Sequence, residues 1–289
     1  MKVGFYDGRC VAIVGASRGI GQAVATRLSG EGAELILFAR DRDGLLRAAE
    51  TLPGKVHVFS VDVTSTEAAS AMAEAVEQSL GRLDALIYSA GILPLAPVSG
   101  MLTEEFEQTM NVNFWGAVRA VQGLVPILGR GGMRSIVLLS SLSTHFPLPF
   151  FAAYCSSKMA LRGFAASLRQ ELAPQGFHVG LVSPGPVDTA MVKGKLHTPL
   201  YRVPRWMPLL RPEDVSRAVD RVLRRRRAEA IVPGWLAPLA WLGLAQPSLV
   251  MGSYRFAVPG WEQAVREGMN RAIPGEVSPE SRSFNQNHS

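Results

Sequence analysis

The stretch CVAIVGASRGIGQAVATRL, residues 10–28, decides the fold. Its first five residues form an apolar run of strand length, three glycines (Gly15, Gly19 and Gly21) follow, and an amphipathic helix pattern begins at Gln22. A strand that passes through a glycine turn into a helix is typical of a nucleotide-binding unit. Gly15 would allow the tight turn, Gly19 the approach of a pyrophosphate, and Gly21 close packing of helix on strand. Backbone N–H groups at the helix N-terminus would then face the phosphates.

Strand and helix patterns alternate along the rest of the chain, which predicts an α/β fold with a doubly wound, seven-stranded parallel sheet and helices on both faces. The expected strands are short and apolar, as doubly buried parallel strands are, and lie near 10–15, 33–39, 55–61, 84–89, 133–140, 177–183 and 229–233. The expected helices lie near 19–30, 43–52, 65–80, 103–129, 151–174 and 212–226. With 289 residues and 47% hydrophobic content, one large domain can bury a full core.

A second pattern points to proton transfer. Tyr154 and Lys158 stand four residues apart, and Ser141 lies thirteen residues before the tyrosine. Positions i and i+4 share one face of a helix, so the ammonium would lie beside the phenol and lower its pKa. A phenol titrates near pH ~10 and needs such a neighbour to act as an acid or base near neutrality. A tyrosine–lysine pair alone is common on helix surfaces, so the interpretation depends on the motifs around it.

These motifs together resemble the standard-length, Rossmann-type branch of the short-chain dehydrogenase/reductase family over about residues 9–234. The resemblance implies a catalytic tetrad of Asn113, Ser141, Tyr154 and Lys158. It also implies a nicotinamide cofactor site made by Gly15, Ser17, Arg18, Gly19, Ile20, Gly21, Asp62, Val63, Ser89, Ala90, Gly91, Tyr154, Lys158, Pro184, Gly185, Val187 and Thr189. The departure is Ser89, which stands where the family has asparagine and puts a local strand-stabilising hydrogen bond in doubt.

The mechanism that the resemblance implies is hydride transfer between nicotinamide C4 and a carbonyl carbon. Tyr154 would donate the proton, Ser141 would orient the substrate oxygen, and Lys158 would lower the tyrosine pKa and hold the nicotinamide ribose. Asn113 would kink its helix around a water that links Lys158 to solvent, and Thr189 with the backbone near Val187 would fix the carboxamide. A non-catalytic nucleotide sensor or scaffold is the other class of answer, but it has no need for an intact tetrad.

Cofactor choice is read at the end of the second strand, where an NAD site would place an acidic side chain on the ribose 2′-hydroxyl. Here Ala39 is followed by Arg40, and Arg18 lies in the glycine turn. Two guanidinium groups suit a 2′-phosphate, which predicts NADP(H), with Arg40 as a further cofactor residue. An NAD-linked alcohol dehydrogenase of the same fold is the alternative, in which both arginines are solvated surface residues.

Two loops at the carboxyl ends of strands, where ligands bind in such sheets, are apolar and aromatic. The first carries Phe146, Pro147, Leu148, Pro149, Phe150 and Phe151, and the second, within a substrate loop at 186–212, carries Met191, Leu196, Leu200, Tyr201, Trp206, Met207, Leu209 and Leu210. They predict a bulky lipophilic ketone or secondary alcohol: a steroid, a long-chain 3-oxo lipid or an aryl ketone. Ordinary lid packing is the other explanation. Lys193, Lys195, Arg202 and Arg205 could meet an anionic headgroup or be solvated, and His145 and His197 are interpreted as loop histidines.

The C-terminal part departs from the alternating pattern. We divide the chain into a catalytic domain (1–234), an apolar extension (235–278) and a disordered tail (279–289). Four arginines (224–227) precede the last strand, and the apolar stretch after it is interrupted by prolines and too short to span a membrane. The extension could be a lid or oligomer interface, or an interfacial element at 224–251 with its arginines on anionic headgroups.

Charge and cysteine content give the remaining expectations. The pI near 9.7 could indicate nucleic acid, but no recognition helix, aromatic platform or zinc spacing supports it. The two cysteines form no metal-type or disulfide spacing. The N-terminus has no signal-peptide core, so we expect a cytoplasmic protein, peripheral to a membrane at most. By the family resemblance, the helices at 103–129 and 151–174 would pair between subunits of a homodimer or homotetramer.

Overall fold

The computed structural model describes residues 4–196, 198, 201, 204, 207–246, 248 and 261–270. Seven strands form one parallel sheet in the order β3-β2-β1-β4-β5-β6-β7, which confirms the predicted doubly wound α/β fold. The strands are β1 (Cys10–Val14), β2 (Glu34–Ala39), β3 (Val56–Ser60), β4 (Ala85–Tyr88), β5 (Ser135–Leu139), β6 (His178–Pro184) and β7 (Glu229–Val232).

Helices cover both faces of the sheet. In chain order they are α1 (Gly19–Ser29), α2 (Arg42–Glu50), α3 (Ala68–Ser79), α4 (Thr103–Met110), α5 (Gly116–Leu128), α6 (Ala152–Leu172), α7 (Ala190–Leu196), α8 (Pro212–Arg225), α9 (Ala237–Ala245) and α10 (Trp261–Asn270). Helices α3, α5 and α6 share one core with the sheet, and α1, α2 and α8 share the other. Because strand order reverses between β1 and β4, their carboxyl ends open the crevice in which such sheets bind ligands.

The helix predicted over 103–129 is divided. A π-helical turn, Asn111–Trp115, separates α4 from α5. The buried phenol of Tyr88, at the end of β4, donates a 2.5 Å hydrogen bond to the carbonyl of Val112 in this turn. The tyrosine hydroxyl thus satisfies a carbonyl within the π turn. Single π turns of this kind are frequent at functional sites, and here the turn carries Asn113.

The amino edge of the sheet is fixed by buried polar side chains. The Asp84 carboxylate, just before β4, accepts hydrogen bonds from the backbone N–H groups of Cys10 (3.0 Å), Gly132 (2.9 Å) and Met133 (3.3 Å). At the same edge, the Tyr6 hydroxyl donates to Asp220 of α8 over 2.8 Å. These bonds satisfy groups that would be costly to bury unpaired.

The arginine run at 224–227 is partly engaged in intramolecular contacts. Arg224 donates to Asp220 over 2.6 Å and stacks on Phe5 at 4.4 Å. Arg226, in the left-handed region at φ +48°, donates to the carbonyl of Gly176 over 2.8 Å. The arginine run lies before β7 in the chain, and α9 lies after β7. The arginines and the apolar helix are therefore at opposite ends of a strand about 13 Å long.

Helix α9 packs beside the ends of β5 and β7. Leu236 and Ala240 are buried against Leu142 and Ile231, with Phe146 and Met207 beside them. Its other side chains include the exposed Leu239, Trp241 and Leu242. No helix within the described ranges has the length and apolar character needed to cross a bilayer. The tail predicted to be disordered at 279–289 lies outside the described residues, as do 249–260 of the extension.

Candidate active site

The glycine turn has the geometry that the sequence predicts. Gly15, at φ +86°, lies so close to the end of β4 that a Cβ there would be 2.5 Å from the backbone nitrogen of Ala90. A Cβ on Gly21 would be 2.1 Å from the carbonyl oxygen of Gly15, so α1 starts in direct contact with the turn. Arg18 immediately precedes α1 and is exposed, and Ser17 and Ile20 are partly buried beside it. This cradle fits a dinucleotide pyrophosphate at a helix N-terminus.

Ser89 retains the hydrogen bond that its identity put in doubt. Its hydroxyl donates to the carbonyl of Val14 over 2.8 Å and lies 3.2 Å from that of Gly15. The backbone N–H of Ser89 also donates to Val14 over 2.8 Å. A hydroxyl therefore joins β4 to the end of β1 at the position where the family has an amide.

Asn113 and Lys158 meet beside Gly91. A Cβ on Gly91 would be 3.2 Å from Asn113 Oδ1 and 3.5 Å from Lys158 Nζ. The Asn113 amide accepts from the N–H of Ile92 (2.8 Å) and donates to the carbonyl of Ile92 (3.0 Å) and to Ser157 Oγ (2.9 Å). Its side chain thus fixes the loop after β4 to α6. Ser157, which sequence reasoning passed over, in turn donates to the carbonyl of Tyr154 over 2.7 Å.

Lys158 lies beside Tyr154, as the four-residue spacing predicts. Its ammonium is 5.8 Å from the centroid of the tyrosine ring and donates to the carbonyl of Leu139, at the end of β5, over 2.9 Å. The lysine side chain is buried, and burial lowers its pKa to about 8. At pH 7 the amine is still about 90% charged.

The predicted direction of the tyrosine pKa is wrong for the cofactor-free chain. Burial raises the pKa of Tyr154 to about 12, and its hydrogen bond with Ser141 lowers the pKa by less than burial raises it. Desolvation disfavours the phenolate, and the Lys158 ammonium is held on the Leu139 carbonyl instead of the phenol oxygen. Burial therefore favours the protonated phenol of Tyr154, and Ser141 acts in the opposite direction.

The loop after β6 closes the other side of the glycine turn. Pro184 ends β6, Gly185 donates to the carbonyl of Val232 over 2.8 Å, and Val187 forms an isolated parallel bridge with Leu210. The methyl group of Thr189 lies 3.2 Å from the position of a Cβ on Gly19. The predicted nicotinamide loop and the predicted phosphate turn are therefore in contact range.

The first acidic side chain after β2, that of Asp41, is engaged in capping a helix. Asp41 accepts from the N–H of Gly44 over 2.8 Å and caps α2. Arg40 is half exposed, and its closest acidic neighbour is Asp62 at 3.9 Å. Asp62 accepts from the N–H and hydroxyl of Thr64 at 2.9 and 2.8 Å, which fixes the turn that presents Val63.

An apolar cluster surrounds Tyr154. Its members are Leu93, Phe151, Cys155, Val192 and Tyr201, with Leu95 and Leu148 packed against them. Phe151 and Tyr201 have ring centroids 5.8 Å apart. Sequence reasoning named the aromatic members and Leu148 but missed Leu93, Leu95 and Val192, which follow β4 or lie in α7. Phe146 and Met207, also named, pack under α9 instead. Leu200, Trp206, His197, Arg202 and Arg205 lie outside the described residues, as does the side chain of Leu196.

Comparison with known proteins agrees with this geometry. The family model described as short chain dehydrogenase matches residues 9–199. The chain is 31% identical to 11-beta-hydroxysteroid dehydrogenase A of Sesamum indicum, over 96% of this chain and 79% of that protein. It is 32% identical to the 3-oxoacyl-(acyl-carrier-protein) reductase FabG of Thermotoga maritima, over 74% of this chain and 89% of that one.

A solved structure gives the same result. A dehydrogenase/reductase from Sinorhizobium meliloti is 30% identical, with a TM-score of 0.67 over 75% of this chain and 88% of that chain. The family match covers about two thirds of the chain and contains the glycine turn and the whole tetrad. The chain therefore belongs to the short-chain dehydrogenase family of oxidoreductases, whose members use a nicotinamide cofactor, NAD(H) or NADP(H).

Proposed function

We propose that this chain is an NADPH-dependent reductase of bulky lipophilic ketones. The observation that carries the proposal is the apolar cluster that encloses the partly buried Tyr154, whose burial raises its pKa to about 12 and so favours the protonated phenol. A proton donor in such surroundings suits a substrate whose carbonyl is its main polar group.

In the proposed reaction, a nicotinamide cofactor held at the glycine turn would supply the hydride that reduces the carbonyl carbon. Ser141 Oγ holds the substrate oxygen, and Tyr154 Oη gives up its proton as negative charge develops there. The charged Lys158, 5.8 Å from the ring, stabilises the phenolate that remains. Asn113 fixes the loop at Gly91 beside the lysine. The apolar side chains exclude water from these groups and thereby strengthen their electrostatic interactions.

The end of β2 supports NADPH over NADH. Arg40 is half exposed at the position where a 2′-phosphate would lie, Arg18 is exposed in the adjacent turn, and Asp41 is committed to capping α2. A 2′-phosphate would form charge-assisted hydrogen bonds with the guanidinium groups.

The test of cofactor choice is Arg40→Gln, with Arg47→Gln on the exposed side of α2 as the matched control. Losing one charge-assisted bond should raise the Kd for NADPH about tenfold to hundredfold and leave the Kd for NADH within about twofold. The readout is quenching of intrinsic tryptophan fluorescence. Equal effects on both cofactors, or an equal effect of the control, would contradict the assignment.

The proposed substrate class rests on the cluster at Tyr154, and the names of the sesame and Thermotoga relatives, a hydroxysteroid dehydrogenase and a 3-oxoacyl reductase, are consistent with it. The experiment is NADPH oxidation, with NADH in parallel, across steroid, long-chain 3-oxo and aryl ketones. Turnover of one class that is lost in Tyr154→Phe, with NADPH binding retained, would support the proposal. Normal turnover by Tyr154→Phe would refute the mechanism.

We further propose a homodimer or homotetramer assembled through α4, α5 and α6. Trp115, between α4 and α5, and Met159, in α6, are large apolar side chains left 48% and 43% exposed. Light scattering on a Trp115→Ser/Met159→Ser double variant tests this. A smaller assembly than the wild type is expected, and an unchanged mass would refute the proposal.

A further inference from the structure

A buried hydrogen-bonded array connects the Ser141 segment to the last strand and to helix α9. Its members are Thr144 and His145 after β5, Arg162 in α6, Ser183 in β6 and Glu229 in β7. The His145 side chain is fully buried, and those of Glu229 and Arg162 are only 10% and 20% exposed. None of these residues belongs to the tetrad or to the predicted cofactor site.

The direction of each bond near Ser141 follows from the donors available. Thr144 Oγ1 lies 2.8 Å from the carbonyl oxygen of Ser141, which can only accept, so the single hydroxyl proton points there. The same Oγ1 lies 3.1 Å from His145 Nδ1. Since the hydroxyl has no second proton, His145 Nδ1 carries a proton and donates it to Thr144.

The far end of the array agrees with this tautomer. A neutral imidazole protonated at Nδ1 has a lone pair at Nε2, which faces Arg162 Nη1 at 3.3 Å. Arg162 Nη1 also donates to Glu229 Oε1 over 2.7 Å, and Ser183 donates to the same oxygen over 2.9 Å. Glu229 thus orients Arg162, and Arg162 fixes the histidine ring.

His145 stays neutral at ordinary pH. Burial lowers its pKa to about 4, with Glu229 opposing and Arg162 reinforcing that direction. The 3.5 Å approach of His145 Nε2 to Glu229 Oε1 is therefore not an ion pair. The carboxylate pairs instead with Arg162, whose Nη1 lies 2.7 Å from Glu229 Oε1.

Helix α9 covers the array. The Trp241 ring meets the His145 ring edge to face, with centroids 5.9 Å apart, and the Arg162 guanidinium lies 5.4 Å from the centroid of Trp241. Gly243 approaches closely enough that a Cβ there would be 2.7 Å from the carbonyl of His145. The C-terminal helix therefore contacts the same loop that carries the serine.

We propose that His145, locked as the Nδ1–H tautomer by Arg162 and covered by Trp241, is a positioning residue that aims Ser141 at the substrate oxygen. It acts through Thr144, which holds the Ser141 carbonyl while the N–H of Ser143 donates to Ser141 Oγ over 3.1 Å. This inference rests on the proposed function, because it assumes that Ser141 orients a carbonyl substrate. It makes α9 part of the support of the active site.

The kinetic test compares Thr144→Val with Thr144→Ser on the full chain. The valine variant should lose about tenfold to hundredfold in kcat, the scale of a misaimed catalytic group, with an unchanged Kd for NADPH. The serine variant retains the hydroxyl and should recover most of the loss. In parallel, Trp241→Ala should lower kcat and Leu239→Ala, on an exposed position of the same helix, should not.

A spectroscopic test does not depend on turnover. In protein labelled with ¹⁵N-histidine and free of cofactor, the His145 signals, assigned by their loss in His145→Asn, should be those of the Nδ1–H tautomer down to about pH 5, since the pKa of His145 is about 4. An Nε2–H tautomer, or wild-type kcat in both Thr144→Val and Trp241→Ala while Tyr154→Phe is inactive, would overturn this inference. An active Tyr154→Phe would overturn the proposed function instead.

Discussion

Replacing Lys158 with methionine should stabilise the cofactor-free protein while abolishing turnover. The lysine side chain is 4% exposed, and burial lowers its pKa from 10.5 to about 8. At about 1.4 kcal/mol per pH unit, this interval corresponds to a cost of about 3 kcal/mol for the charged form in the native state. Methionine forfeits the bond to the Leu139 carbonyl, worth about 1 kcal/mol. A net gain of about 2 kcal/mol in the free energy of unfolding is expected at pH 7.

The stability difference between wild type and Lys158→Met should also change with pH in a defined direction. Between about pH 8 and 10.5 the native state binds fewer protons at Lys158 than the unfolded state, so wild-type stability rises across this window relative to the variant. Urea unfolding followed by circular dichroism at pH 7 and pH 9.5, with Lys55→Met at an exposed site as the control, measures both effects. The reasoning fails if Lys158→Met is no more stable than wild type at pH 7, or if its advantage is the same at both pH values.

Three further substitutions test the fold that presents the site. Gly21→Ala would bring a Cβ to 2.1 Å from the Gly15 carbonyl; we expect at least a tenfold weaker Kd for NADPH in a folded protein, and unaltered binding would refute the close-packed turn. Asp84→Ala would leave three N–H groups, two of them buried, without their acceptor and should cost roughly 3–5 kcal/mol of unfolding free energy, measured with urea; a loss below 1 kcal/mol would contradict it. Tyr6→Phe removes the donor to buried Asp220 and should cost about 1–2 kcal/mol, whereas an unchanged urea midpoint would count against that bond.

The sheet was predictable because its signals are local. Each strand is a short apolar run between turns, and the glycine turn after β1 marks the start of a nucleotide-binding unit. The π turn at Asn111–Trp115 could not be predicted in this way, because it depends on a hydrogen bond from the Tyr88 hydroxyl to Val112, 24 residues further along the chain. The expected kink at Asn113 came from the family resemblance alone.

The site shows the same division between local pattern and tertiary environment. The spacing of Tyr154 and Lys158 predicted their proximity, but not that burial would raise the tyrosine pKa by more than Ser141 lowers it. Ser89 differs from the family residue, yet its hydroxyl reaches the Val14 carbonyl that a sequence comparison cannot locate. His145 was interpreted as a loop histidine because its partners, Arg162 and Glu229, are 17 and 84 positions further along the chain.

The contact between α9 and the loop that carries Ser141 limits where the chain can be truncated at its C-terminal side. The family match ends at residue 199, yet α8 and β7 complete the sheet and its second core, and Trp241 and Gly243 close over His145. A truncation after residue 234 would retain every tetrad residue but would remove α9, which covers the loop that carries Ser141. Chimeras that exchange C-terminal segments among relatives should therefore move Trp241 together with His145 and Arg162, as one transplantable unit.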